Sequence, residues 1–157
     1  MAATINGALS QLVAFTLDGQ FYALRLESVE STVRAVEVTP LPKSPEIVLG
    51  VINLRGKIVP VLDIRTRFGL PKRQPQLTDH LVVAQTAKRT VAIGVDSVSG
   101  VVQRRRQDIT KAERIVPGLE YVQGVAKLQD GMLLIHDLDK FLSLDEEKQL
   151  QDALTRT

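Results

Sequence analysis

Few side chains in this chain are of types that do chemistry: two histidines, His80 and His136, a run of three arginines, Arg104, Arg105 and Arg106, some neighbouring acids, and Asn53 with Arg55 inside an otherwise apolar stretch. A histidine metal site of the common kind needs H-x-x-x-H or H-E-x-x-H spacing, and neither histidine has that context. One stands at the start of an apolar run and the other at the end of one, and each reads as a structural side chain with its hydrogen bonds satisfied. No G-x-S-x-G marks a serine nucleophile; Ser97 and Ser99 fall in Asp96-Ser97-Val98-Ser99-Gly100, which reads as a strand exit. No G-x-G-x-x-G or G-x-x-x-x-G-K-[ST] offers backbone amides to a phosphate. Asp137 with Asp139 and Glu146 with Glu147 stand at helix starts, where an acid offsets the positive helix end by ~0.3 to 1 kcal/mol, so capping accounts for them better than acid–base catalysis.

Arg104 to Arg106, with Lys72, Arg73, Lys111 and Arg114, could meet phosphate, and a small-barrel nucleic-acid or ligand-binding module using this basic loop is the alternative function. Asp108 and Glu113 interrupt the run and no aromatic residue interleaves, which favours a solvated loop. Asn53 and Arg55 beside Gly56 admit two readings that spacing does not separate. In one, Asn53 bonds the turn and Arg55 points into water; in the other, the guanidinium is fixed at a binding surface.

The elements that carry these residues are short strands and turns. Leu12–Leu17 and Phe21–Leu26 flank Asp18-Gly19, and Gly50–Leu54 and Lys57–Leu62 flank Arg55-Gly56; both read as hairpins. Between them, Val29 and Val33 at i and i+4 predict about two helical turns or an irregular strand exit, followed by a loop through Pro40, Pro42 and Pro45. Asp63 caps a short helix ending near Gly69, and a polar linker follows over 71–78. In the second half, His80–Thr86 and Thr90–Asp96 read as strands and Gly100–Gln103 as a continuation. Arg104–Glu120 reads as a loop with one helical turn at most. Tyr121–Leu128 and Met132–His136 flank Asp130-Gly131 as another hairpin, Asp137–Phe141 repeats the capped turn, and Ser143 with Glu146 forms a capping box for a last helix carrying Leu150 and Leu154.

With 157 residues, 44% of them hydrophobic, the chain can bury one domain's core, and disordered and collagen-like classes are excluded. The absence of cysteine removes disulfides and thiolate sites and fits a reducing cytoplasm. A net charge of +2 predicts neither a nucleic-acid nor a membrane partner. No run approaches the ~18 apolar residues of a membrane helix, so no direct membrane insertion is expected.

The halves resemble each other. A shift of 69 places Leu12-Val13 on Leu81-Val82, Ala23 on Ala92, Ser28-Val29 on Ser97-Val98 and Val33 on Val102; a shift of 74 places Gly50-Val51 on Gly124-Val125, Leu54 on Leu128 and Asp63 on Asp137. A repeated unit of short strands predicts a mainly β protein of two small barrels packed side by side.

The segment GVINLRGKIVPVLDIR closely resembles the hallmark of CheW-like domains, the chemotaxis coupling proteins. LVAFTLDGQFYALRLESV, VAIGVDSVSGVV and GVAKLQDGMLLIHDLDKFL sit in that family's order and spacing. The resemblance implies one domain over 11–142 made of two SH3-like five-stranded β-barrels, with lobe one near 11–70, lobe two near 79–142 and strand exchange between them left open. A flexible N-terminus over 1–10 and a C-terminal helix and tail over 143–157 flank it. The implied function is a free-standing, non-catalytic adaptor, cytoplasmic and recruited to receptor arrays at the inner membrane. It would need no cofactor, metal or nucleic acid, and would join chemoreceptor tips to the regulatory domain of a CheA-type histidine kinase. Val29, Gly50 and Arg55, with Asn53 as a neighbour, carry over by motif as the interaction residues. Many relatives have glutamate where Ser31 stands, so an ion pair to Arg55 would have to use another acid here or be missing.

Overall fold

The structure is a computed structural model and describes residues 9–74, 76–111 and 121–156. Alternation of apolar and polar side chains, with β-branched residues predominating, makes most of it strand. β1 (Leu9–Leu17) and β2 (Gln20–Arg25) form the first hairpin. Its turn residues Asp18 and Gly19 both adopt positive φ (49° and 77°), the geometry that matches the twist of paired strands. A 3-10 turn at Leu26–Ser28 leads into β3 (Val29–Arg34). The helical alternative for this segment fails: its side chains alternate half-buried and exposed, and Val29, Thr32 and Val33 are β-branched. β4 (Val48–Leu54) and β5 (Lys57–Leu62) form the second hairpin, and α1 (Ile64–Arg67) follows, capped by the Asp63 carboxylate accepting from the Arg65 amide.

The second half gives β6 (His80–Gln85), β7 (Thr90–Val95), β8 (Ser97–Arg105), β9 (Ile109–Lys111), β10 (Val122–Leu128), β11 (Gly131–His136) and α2 (Leu144–Thr155). Two expectations are corrected. The loop expected from Arg104 starts later, because Arg104 and Arg105 extend β8 by pairing with Ser10 and Leu9 of β1, and Ile109–Lys111 pairs with β10; positions 112–120 of that loop lie outside the described residues. The turn after Asp137 is a 3-10 turn without a side-chain cap. The capping box of α2 has both reciprocal bonds, between Ser143 and Glu146.

The strands make two sheets, β8-β1-β2-β11-β10-β9 and β3-β6-β7-β5-β4. Under the 69- and 74-residue shifts the first five strands of one order become the other, including the parallel joins of β2 with β11 and of β5 with β7. Each sheet therefore takes strands from both halves of the chain, and a division between 70 and 79 does not coincide with the sheets. A parallel join cannot be made by a tight turn, so its partner must come from a distant segment.

Packing repeats the duplication side chain by side chain. The first sheet carries a buried cluster of Leu12, Ala14, Ala23, Ala126, Leu133 and Ile135; the second carries Leu81, Val83, Ala92, Ile52, Val59 and Val61, the positions the two shifts assign in that order. A larger cluster, with Phe15, Leu24, Leu62, Ile93, Phe141 and Leu150 among its members, draws on both sheets and α2 and is joined by half-buried Val29 and Val98.

Candidate interaction surface

The Arg55 turn is held from within its own hairpin. Arg55 occupies the left-handed region at φ 54°, unusual for a residue with a side chain, and Gly56 follows at φ 86°. Asn53 Oδ1 accepts a 2.8 Å bond from the Gly56 amide, so Asn53 serves the turn. The Arg55 side chain is exposed, and among the described residues no carboxylate lies within ion-pairing distance of it. Ser31, on β3 opposite Val83, supplies no acid.

Gly50 sits in the same hairpin but is buried. A Cβ there would lie 2.3 Å from the carbonyl oxygen of Thr39, whose backbone exchanges bonds of 2.9 and 2.8 Å with Val51. Gly50 thus lets the 38–39 segment cross β4. Its counterpart Gly124 admits β9 in the same way, since a Cβ at Gly124 would lie 3.1 Å from the Thr110 carbonyl oxygen.

Val29 opens β3 opposite Ala84, at the far edge of the sheet from β4. It is tied back toward the Arg55 hairpin by a neighbour. Glu30 Oε1 is 3.4 Å from Thr90 Oγ1, which also receives Lys57 Nζ at 2.8 Å, and Lys57 is the first residue of β5. Asn53 and Arg55 are therefore together, Gly50 supports their strand from below, and Val29 is linked to them through side chains that the motif did not point to.

Sequence reasoning missed an ion cluster at the junction of the sheets. Arg65, only 7% exposed, donates to Asp18 Oδ1 at 2.8 Å and to Asp96 Oδ1 at 2.7 Å. Arg73 reaches Asp96 Oδ1 at 2.6 Å and Asp79 Oδ1 at 2.8 Å, and the Asp18 amide donates to Asp96 Oδ2 at 2.9 Å. Burial opposes the charge on Asp96, but the Asp18 amide, Arg65 and Arg73 outweigh it and hold the carboxyl below its ordinary value. The partners are far apart in the chain, so no local spacing announces them.

His136 is not the hydrogen-bonded histidine expected. It is buried against Phe68 (ring centroids 4.4 Å), Tyr22 (4.9 Å), Phe141 (5.1 Å) and Phe15 (5.7 Å), and neither ring nitrogen has a hydrogen-bond partner among the described residues. Burial lowers its pKa to about 3, so the ring is neutral at physiological pH. Among the described residues no group of three or more metal-ligating side chains converges, and no helix is long and apolar enough to cross a membrane.

The three arginines do not make one basic face. Arg104 and Arg105 are consecutive strand residues and point to opposite sides of the sheet, and Arg104 is turned onto the carbonyls of Gln103 (2.7 Å) and Lys127 (3.3 Å).

A duplicated two-sheet β domain whose buried charges join the sheets and dock α2, with an exposed arginine turn, has the build of a module that binds other proteins. Residues 11–146 match the family model of the CheW-like domain, and the chain belongs to that family. The chemotaxis protein CheW of Rhizobium meliloti (strain 1021) is 30% identical over 140 residues, covering 88% of this chain and 90% of that protein. The chemotaxis protein CheW of Klebsiella aerogenes is 31% identical over 149 residues, covering 94% and 89%. The crystal structure of the scaffolding protein TtCheW from Thermoanaerobacter tengcongensis superposes with a TM-score of 0.79 at 30% identity, over 87% of this chain and 94% of that one. The chain is a non-catalytic chemotaxis scaffolding and coupling protein, which displaces the nucleic-acid alternative.

Proposed function

We propose that this coupling protein joins the cytoplasmic tips of chemoreceptors to the regulatory domain of a CheA-type histidine kinase, working in the cytoplasm at arrays on the inner membrane. In this reading Arg55 and Val29 are contact residues, Asn53 holds the Arg55 turn, and Gly50 keeps the β4–β5 hairpin seated. The observation that carries it is the Arg55 turn itself: an exposed guanidinium, without an ion-pair partner among the described residues, carried on a left-handed backbone pinned by Asn53, so that the backbone of the turn has little freedom left to lose on binding. Supporting a second, apolar contact are Ile58 and Met132, positions equivalent under the 74-residue shift, which are 54% and 55% exposed at the starts of β5 and β11. A modular contact of ordinary size, ~1,200 to 2,000 Å² in total, needs such side chains near its centre.

Transmission requires only that the protein favour one receptor state over another, because equal affinity for both would shift nothing. The test is reconstitution of receptor fragments, kinase and this protein. Receptor-dependent kinase activation that rises with added protein is the expected result. No co-elution with the kinase regulatory domain and no activation would overturn the proposal.

A further inference from the structure

A buried hydroxyl links the two segments that carry the proposed contact. Thr90, the first residue of β7, is only 5% exposed, and its Oγ1 meets Gln85 Oε1 at 2.7 Å, Lys57 Nζ at 2.8 Å and Glu30 Oε1 at 3.4 Å. The directions follow from the groups. The Lys57 ammonium can only donate, so Thr90 accepts from it and shares its single proton between two acceptors, mainly the nearer Gln85 and more weakly the Glu30 carboxylate. Gln85 Nε2 donates to the Thr86 carbonyl at 3.1 Å, which turns the amide oxygen toward Thr90. Valine would fill the same volume without a hydroxyl to desolvate, so a threonine at this depth is sustained by the bonds it makes.

The ends of this tie matter more than its centre. Lys57 adjoins the Arg55-Gly56 turn, and Glu30 adjoins Val29 at the bulge where the β3–β6 register shifts. In the sheet order β3-β6-β7-β5, two strands separate these ends. Among the described residues neither Lys57 nor Glu30 has another side-chain hydrogen bond or an ion pair, so Thr90 is where both meet the body of the sheet.

We propose that Thr90 is a positioning residue of the coupling surface: by holding Lys57 within reach of Glu30 it fixes the Arg55 hairpin relative to the strand that bears Val29. The partner is then recognised by a surface spanning two distant chain segments, held together by a third. This rests on the reading of Arg55 as a contact residue.

The test is a double-mutant cycle in the reconstituted receptor–kinase mixture, reading the concentration of this protein that gives half-maximal kinase activation, with thermal melts alongside. Thr90→Val should raise that concentration about three- to tenfold, which at ~1.4 kcal/mol per tenfold is the net worth of one ordinary hydrogen bond, while the variant stays folded at the assay temperature. Thr90→Ser should restore wild-type behaviour. In an Arg55→Ala background, Thr90→Val should add nothing further, because coupled residues are non-additive. Lys57→Met breaks the tie from the exposed side and should show the same non-additivity, which keeps the test open if Thr90→Val melts early. Wild-type activation by both Thr90→Val and Lys57→Met, a serine variant as impaired as the valine one, or an undiminished effect in the Arg55→Ala background would each overturn the positioning role. Wild-type activation by Arg55→Ala would overturn the contact reading and this inference together; an impaired Arg55→Ala beside the failures just named would overturn this inference alone.

Discussion

Arg65 Nη2 lies 2.7 Å from Asp96 Oδ1, and this ion pair fastens the helix that follows β5 in one sheet to the point where the chain leaves β7 for β8 in the other. Its second nitrogen holds Asp18 in the β1–β2 turn, so one side chain joins three segments across the sheet boundary.

Arg65→Met should therefore be markedly destabilising. Removing one partner of a buried pair costs about 3 to 5 kcal/mol, and the acids left behind are 35% and 28% exposed, which brings the expectation to about 2 to 3 kcal/mol. Denaturant unfolding at neutral pH measures it. Asp96→Asn, which keeps hydrogen-bond acceptance toward Arg73, should cost less.

His136 gives the fold an acid sensitivity above the carboxylate range. Its folded pKa of about 3 is below the ordinary 6.5, so the unfolded chain takes up the proton first. The stability carried by the neutral ring is complete above pH 6.5 and is lost as pH falls from there toward 3, at up to ~1.4 kcal/mol per pH unit, or about 2 kcal/mol by pH 5. The Asp96 contribution, whose folded pKa is lowered, is lost only below the ordinary carboxylate value near 4. Unfolding free energies at pH 7 and pH 5 should differ accordingly, and His136→Phe should flatten the difference.

Gly50 and Gly124 occupy equivalent positions and should differ in tolerance. At Gly50 a Cβ meets backbone at 2.3 Å and φ is 154°, so Gly50→Ala should cost on the order of 3 kcal/mol or more. Gly124 lacks the positive φ, and a Cβ there meets Ile109 Cγ2 at 2.8 Å and the Thr110 carbonyl oxygen at 3.1 Å, both less severe than the 2.3 Å backbone clash at Gly50. Gly124→Ala should be milder, and a pair of thermal melts ranks them.

Much of this fold is local chemistry and is legible in the sequence. Asp18-Gly19 forms the turn its residue types favour, Gly56 marks the second turn, Asp63 and Ser143 cap where their spacing says, and the 69- and 74-residue shifts pair the six side chains of one small core with the six of the other. What escapes is non-local. The exchange of strands between halves depends on the pairings β2–β11 and β5–β7, and neither strand of a pair carries a mark of the other. Arg65 reads as an ordinary basic residue until Asp18 and Asp96 are brought to it, and Thr90 as an ordinary strand threonine until Lys57 and Glu30 arrive. His136 reads as satisfied because a buried imidazole usually is; its four aromatic neighbours come from β1, β2, the end of α1 and the turn before α2.

Val29 and Val98 test whether repeat equivalence extends to energetics. Both are half-buried against the cluster between the sheets. Truncation to alanine should cost about 1 to 2 kcal/mol at each, the lower part of the range for core deletions because neither is fully enclosed. If Val29 also contacts the receptor, Val29→Ala should weaken activation beyond what its melt explains, while Val98→Ala should not.

Arg55→Glu should leave the fold intact and sever coupling. The side chain is exposed, makes no ion pair among the described residues and stands on a turn whose backbone is held by Asn53, so reversing its charge opens no cavity and orphans no buried acid. Binding has more to lose: the new carboxylate forfeits any charge-assisted bond to an acidic partner and repels it. Truncating one member of a buried interfacial pair costs ~2 to 5 kcal/mol. At ~1.4 kcal/mol per tenfold in affinity, even the lower figure depletes a micromolar complex. A circular dichroism melt matching wild type, together with lost receptor-dependent kinase activation, is the expected pair of results. Wild-type activation would make Arg55 a solvated turn residue, and a variant that fails to fold would make it structural. Salt provides an internal control, since a contact governed by this charge should weaken in the wild type as ionic strength rises, while the Glu variant, already repelled, should recover slightly as screening shortens the reach of the repulsion.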